Sequence, residues 1–329
     1  MNNFFQTRAP WLALSLLLLS GCAKNREVDP SITNIAVTNP DFQVLEDAAI
    51  RGDVAGLLGN KNPDPNSGGN FTVFAPNNNA FARLGLRSAE DLLALQQPFL
   101  RSTLFYHVFS GSLAGIALTS GSTSPSALGG LTRRIIVRAD GTKYVNGSKI
   151  LGTDLRAANG LVHPIDKVLL ATGANIVASA QALEAGSVFV KPELTFLVAA
   201  VLRCNLQGLL SQPGPYTVFA PTDQAFKDAG IPSIAAINQT DVATLTSILA
   251  NHVLVNTPGG PQLGNRFTPE LPEGMVAALG GRLLTMGAFT NGVLTVKGNG
   301  NGANVANMVI PDVQCTNGVV HVIDRVLLP

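Results

Sequence analysis

Charge is scarce in this chain: Asp, Glu, Lys and Arg make up 13% of its 329 residues, and the formal net charge is +1. Binding DNA or RNA calls for a basic stripe that displaces counterions from phosphates, and the sequence offers none, so no nucleic-acid partner is expected. Aromatic residues are equally thin at 6%, and the single tryptophan, Trp11, falls in the leading segment. The common catalytic signatures are missing as well: there is no G-x-S-x-G elbow, no H-E-x-x-H, no P-loop and no G-x-G-x-x-G behind a strand. The glycines of GNGNGAN (298–304) have the wrong spacing and no helical pattern after them, so they read as a loop. The chain is therefore expected to be no enzyme and to need no cofactor.

What is present begins with MNNFFQTR, one basic side chain beside the terminal amine, followed by the apolar run APWLALSLLLLS and then GC. The run is too short for a permanent membrane helix and has the layout of an export signal. LSGC (19–22) resembles the lipobox of bacterial lipoproteins, whose cysteine is lipidated and becomes the new N-terminus. That resemblance implies a signal peptide at 1–21, lipid on Cys22, and a mature protein held to a membrane of the cell envelope, with the outer membrane the expected one. Residues 22–36 read as the lipidated N-terminus and tether, since AKNREVDPSITNIA shows neither helical nor strand periodicity. No later stretch approaches a second membrane span.

The rest of the chain says the same thing twice. FTVFAPNNNAF (71–81) returns as YTVFAPTDQAF (216–226), 145 residues later, with eight of eleven positions identical or chemically similar. PDFQVLEDAAIRGDVAGLL (40–58) lies over PELTFLVAAVLRCNLQGLL (192–210), both with apolar residues at helical spacing and an Asp53 or Asn205 suited to closing a helix in the left-handed conformation. TVFAP reads as a strand broken at Pro76 or Pro221, with Asn77 or Thr222 capping a short helix. Further helices are predicted over SAEDLLAL, where Ser88 and Asp91 are spaced like a capping box, over PFLRSTLFYHV, and over DVATLTSILANHV with Asp241 as cap. From Leu131 onward short apolar runs alternate with turn signals, among them Asp140-Gly141 and Asn146-Gly147. Each copy closes on its best strand, NGLVHPIDKVLL (159–170) or NGVVHVIDRVLL (317–328). A period near 150 is long enough for each copy to own a core, so two independently folding domains are expected, at 37–171 and 172–329, joined through ATGAN (171–175).

These blocks, in this order and twice over, make the chain similar to the fasciclin-like domain family in tandem. The resemblance implies an α+β fold, a wedge-like β-sandwich in each domain with N-terminal helices packed on it. It also implies non-enzymatic work in adhesion or surface interaction, with a protein or polysaccharide partner. Pro164 in the closing strand and Asn77 to Asn79 after FAP are departures in the first copy. The alternative function is a carbohydrate-capturing accessory protein, which the scarcity of aromatics disfavours.

All four histidines occupy repeat-equivalent positions, His107 with His252 and His163 with His321. Two per domain fall short of the three or four ligands of a zinc site, and Asp166 and Asp324, three residues along a strand, point away from His163 and His321. No metal is expected. The histidines and these aspartates are assigned a structural role, His163 and His321 holding the closing strands, His107 and His252 tying the end of the last helix to the strand that follows. Tyr106 and His107 match the tyrosine–histidine element that the family uses in or beside its adhesive surface, so they are the candidate binding residues; the second copy has Asn251 in place of the tyrosine. Arg51-Gly52-Asp53 has the form of an integrin tripeptide, but its counterpart is Arg203-Cys204-Asn205 at a helix end, which makes helix termination its expected job. Cys204 and Cys315 are a possible disulfide in an exported chain.

Overall fold

The computed structural model describes residues 29–126, 131–188 and 193–329, so the export signal and Cys22 lie outside the described residues. The first copy runs α1 (Ile32–Thr38), α2 (Gln43–Arg51), α3 (Ala55–Leu58), β1 (Phe71–Pro76), α4 (Asn78–Ala82), α5 (Gln97–Tyr106), β2 (Val108–Ser110), β3 (Thr123–Pro125), β4 (Thr132–Val137), β5 (Lys143–Val145), β6 (Ser148–Lys149), β7 (Leu155–Ala157), β8 (Gly160–Ile165) and β9 (Leu170–Ala171). The second runs α6 (Ile176–Glu184), α7 (Thr195–Arg203), α8 (Gln207–Leu210), β10 (Tyr216–Pro221), α9 (Asp223–Asp228), α10 (Ile234–Gln239), α11 (Val242–Ala250), β11 (Val253–Val255), β12 (Gly274–Ala277), β13 (Leu283–Met286), β14 (Thr295–Gly298), β15 (Ala306–Cys315) and β16 (Gly318–Ile323). The fold is α+β, in two tandem domains. No helix among the described residues is long and apolar enough to cross a membrane.

TVFAP lies at the centre of each domain. β1 pairs antiparallel with β2 and parallel with the closing strand β8, and β10 does the same with β11 and β16. Its side chains alternate as a strand's must. Phe71, Val73 and Ala75 face the helices, Phe74 faces the other sheet, and Tyr216, Val218 and Ala220 against Phe219 repeat the division. Thr72 shares the inner face, and its buried hydroxyl is satisfied twice, donating to the Gly111 carbonyl and accepting the Leu113 N–H, both at 2.8 Å. Thr217 repeats this with Leu263 and Arg266.

Local chemistry sets the ends of the helices. Asn77, Thr222 and Asp241 accept backbone N–H bonds from Ala80, Ala225 and Thr244. Asp53 and Asn205 stand at φ 56° and 54°, just past α2 and α7, so the Arg51-Gly52-Asp53 stretch is a helix stop, with Asp53 paired to Arg101 at 2.7 Å. SAEDLLAL makes only a single 3-10 turn, Asp91–Ala94; Ser88 Oγ accepts the Asp91 N–H, while the Asp91 carboxylate reaches the Arg87 N–H.

Two expectations need correction. The tether was drawn through residue 36, but α1 begins at Ile32 under a Ser31 cap, and Ile32 is buried. One buried apolar side chain and a cap suffice there, a signal too short to register as periodicity. The stretch after 171 likewise becomes α6, capped by Asn175. Around the connection, β9 adds in parallel to the edge of β15, so the tail of the first domain is a strand of the second domain's sheet.

Candidate functional site

The four histidines are buried, with at most 2% relative exposure, and both nitrogens of each ring are engaged. At the end of α5, His107 Nδ1–H donates to the Thr103 carbonyl (2.7 Å), while Nε2 accepts the Leu169 N–H (2.8 Å). His252 repeats this with Ile248 and Leu327. The bond therefore runs from the helix end to the chain beyond the closing strand, not to β2 or β11 as the sequence suggested. On the closing strands the tautomer is reversed. His163 Nδ1 accepts the Asp154 N–H and Nε2–H donates to the Leu113 carbonyl; His321 does so with Asp312 and Arg266. One nitrogen of each ring must stay unprotonated to accept its backbone N–H. Burial pushes the pKa of His107 and His252 down to about 4, and lowers those of His163 and His321.

Asp166 and Asp324 brace the turn after each closing strand. Asp166 accepts the Lys149 N–H (2.7 Å) and the Ser148 hydroxyl (3.2 Å), and Asp324 accepts the Asn307 N–H (2.7 Å) and side-chain amide (2.8 Å). No group of three or more His, Cys, Asp or Glu among the described residues is arranged to hold a metal ion.

Tyr106 and His107, the candidate binding residues, are both buried. Tyr106 is 0% exposed and lies on the seam between the domains. Its hydroxyl donates to Gln314 Oε1 of the second domain and accepts from Asn146 Nδ2 at 2.8 Å, and burial raises its pKa to about 12, so it remains a donor at neutral pH. Arg133, fully buried, lies over the rings of Phe74 and Tyr106 and donates to the carbonyls of Tyr106, Val108 and Pro125 and to Ser124 Oγ. Burial brings its pKa down to about 10, which leaves it charged at pH 7.

The seam's other anchor is an ion pair. Lys167 Nζ donates to Asp312 Oδ2 (2.6 Å), to the Gly292 carbonyl (2.6 Å) and to Thr268 Oγ1 (3.2 Å), with both charged side chains only 8% exposed. Asp312 also accepts the Thr268 N–H at 2.6 Å and its hydroxyl at 2.8 Å. Burial pushes the Asp312 carboxyl up, but Lys167, His321 and these hydrogen bonds outweigh it and hold the pKa below the usual range. Gly147 permits this approach, because a Cβ there would meet Asp312 Oδ2 at 1.9 Å. Arg134 pairs with Glu270 over the Phe267 ring, and Arg138 lies 4.7 Å from the Phe289 centroid.

Cys204 and Cys315 are both free thiols, which corrects the disulfide considered from sequence. Cys204 closes α7 with Sγ toward the Val242 carbonyl, whereas Cys315 ends β15 against Ser179 and Thr172, where burial raises its pKa. Each thiol already has its own polar neighbours on different elements.

Sequence reasoning passed over the other seam residues and one further pair. Asn159 and Asn317 each accept the first N–H of the N-terminal helix, from Ile32 or Ile176, and donate to the last carbonyl of their domain's third helix and to the carbonyl two residues beyond it. The glycine after each lies against the neighbouring strand, where a Cβ on Gly160 would meet the Phe71 carbonyl oxygen at 1.8 Å and one on Gly318 that of Tyr216 at 2.2 Å. The repeated Asn-Gly was the available signal. For Arg133 it was the alternation of RRIIVR, which puts an arginine on the same face as Ile135 and Val137.

Comparison with known proteins finds one family model twice in the chain. The model described as Fasciclin domain matches residues 40–171 and 192–329. Transforming growth factor-beta-induced protein ig-h3 of Sus scrofa is 30% identical over 267 residues, 81% of this chain and 36% of that protein, so the chain spans about a third of its length. Immunogenic protein MPB70 of Mycobacterium bovis is 34% identical over 184 residues, 53% of this chain and 84% of that one. Among solved structures, a FAS1 domain pair from the insect cell adhesion molecule Fasciclin I aligns over 90% of this chain and 96% of its own, at 16% identity and a TM-score of 0.35.

Proposed function

The chain belongs to the fasciclin domain family, in two tandem copies, and from that membership we propose that it is a non-enzymatic adhesion or interaction protein of the cell envelope, anchored to a membrane through lipid on Cys22. The observation that carries the binding half of this reading is how its polar motif residues are used. The histidines, Tyr106 and the Lys167–Asp312 pair are consumed in backbone and seam bonds inside the molecule. What the protein offers a partner is then its outer surface, and broad surfaces suit a protein or polysaccharide. The anchor half rests on LSGC behind the apolar run.

Intact-mass measurement of the N-terminal fragment tests the anchor: a diacyl or triacyl mass on Cys22 supports it, and an unmodified start at Ala23 or an uncleaved Met1 refutes it. Cells displaying the chain, compared with cells lacking it, test the binding; unchanged attachment to other cells and to matrix or glycan surfaces counts against adhesion.

A further inference from the structure

Between α1, α2 and the central sheet of the first domain lies a cavity of about 140 Å³. Ile32 and Ala36 of α1, Leu45 and Ala49 of α2, and Val73 and Val162 of the sheet supply hydrocarbon walls, and the described residues give the lining almost no polar surface. Thr33 and His107 also line it, but both are already engaged. Thr33 Oγ1 donates to the Ala55 carbonyl at 2.8 Å, and His107 uses both ring nitrogens on Thr103 and Leu169. The mouth is marked by lining residues that also face solvent, Val37 at 52% exposure and Ile50 at 63%. Glu46, partly exposed, precedes Ile50 by one turn of α2, so its carboxylate shares that face.

The second domain has the same arrangement on a smaller scale. Ile176 and Ala180 of α6, Leu197 and Val201 of α7, and Val218 of β10 stand at the equivalent positions around a cavity of about 70 Å³. Val201, in the place of Ala49, brings two more carbons into that space, and Val198 replaces Glu46, so the acidic mouth belongs to the first domain.

We propose that the first domain's cavity is a binding site for one hydrocarbon group of about six carbons, the alkyl end of an amphiphile whose cationic head stays at the mouth beside Glu46. An apolar cavity of about 150 Å³ accommodates benzene, which sets the size of the guest. Walls without a free hydrogen-bonding group favour hydrocarbon, because any polar atom carried inside would lose its bonds to water. Glu46 selects the head: an ammonium gains an opposite charge there, whereas a carboxylate meets a like one. The site goes beyond adhesion, and it needs neither lipid on Cys22 nor the seam.

Methyl NMR of the full chain, titrated at pH 7 with hexylamine or hexanoate, tests the proposal. Hexylamine is expected to shift the methyls of Ile32, Val73 and Val162 saturably, with those of Ile176 and Val218 moving less, and to bind about threefold more tightly than hexanoate. Ala49→Val introduces the residue that the second domain tolerates at this position, and by narrowing the cavity it should weaken hexylamine about tenfold. Glu46→Gln, which leaves the walls intact, should keep hexylamine binding and abolish its advantage over hexanoate. Absence of saturable shifts in the parent chain, or unchanged hexylamine affinity in a folded Ala49→Val chain, overturns the site. Equal affinity of the parent chain for hexylamine and hexanoate overturns the cationic head.

Discussion

A single imidazole shows how little freedom this chemistry leaves. His321 accepts the Asp312 N–H with one nitrogen and donates to the Arg266 carbonyl with the other, so it fastens the bend of β15 and the loop before the Thr268–Glu270 turn to the closing strand. Truncation leaves both buried backbone groups without these partners. His321→Ala is therefore expected to destabilise the protein by about 1–3 kcal/mol, seen as a lower melting temperature with no loss of a bound ion. Titration tests the same rings differently. His107 and His252 have folded-state pKa values near 4, below the 6.5 of the unfolded chain, so below pH 6.5 the unfolded state binds more protons. Their contribution is whole above pH 6.5 and is lost as pH falls toward 4. The slope corresponds to roughly 3 kcal/mol for each ring over that window. Denaturant melts between pH 7 and pH 4 should show the decline, and a flat profile would mean that the rings are not held neutral.

At the scale of elements, the repeat made much of the fold legible. The helix caps at Asn77, Thr222 and Asp241, the helix stops at Asp53 and Asn205, the central TVFAP strands and the closing strands all follow from short-range chemistry that recurs in both copies. α1 was missed because its hold on the domain rests on the buried Ile32, the bond of Thr33 to the Ala55 carbonyl, and the bond of Ile32 to Asn159, a partner 127 residues away. The candidate site was less legible for a related reason. Tyr106 matched a motif, but whether a matching side chain faces solvent or a seam depends on the neighbouring domain, and no local pattern encodes Gln314 as its partner. Lys167 and Asp312 are likewise joined across 145 residues. Removing one member of a buried pair strands the other, so Lys167→Ala should cost about 3–5 kcal/mol, whereas Lys167→Met with Asp312→Asn together should cost less than the two single changes summed. Calorimetry reads both, and a Lys167→Ala melt like the parent's would show that the pair does not hold the seam.

At the scale of the molecule, the two copies are not two loose beads. They share a strand, a buried ion pair and the Tyr106–Asn146–Gln314 bonds, so Tyr106, which the sequence marked as a binding residue, helps to join them. The central claim is that binding belongs to the outer surface while the tyrosine–histidine element is internal. Tyr106→Phe tests this most directly, because it removes only the buried hydroxyl and keeps the ring packed in the first domain. The measurement is attachment of cells displaying equal amounts of the parent chain or Tyr106→Phe, against cells displaying neither. The account predicts that both chains raise attachment equally, with the variant slightly less stable. Attachment abolished by Tyr106→Phe in a folded, equally displayed protein, or no attachment conferred by the parent chain, would contradict it.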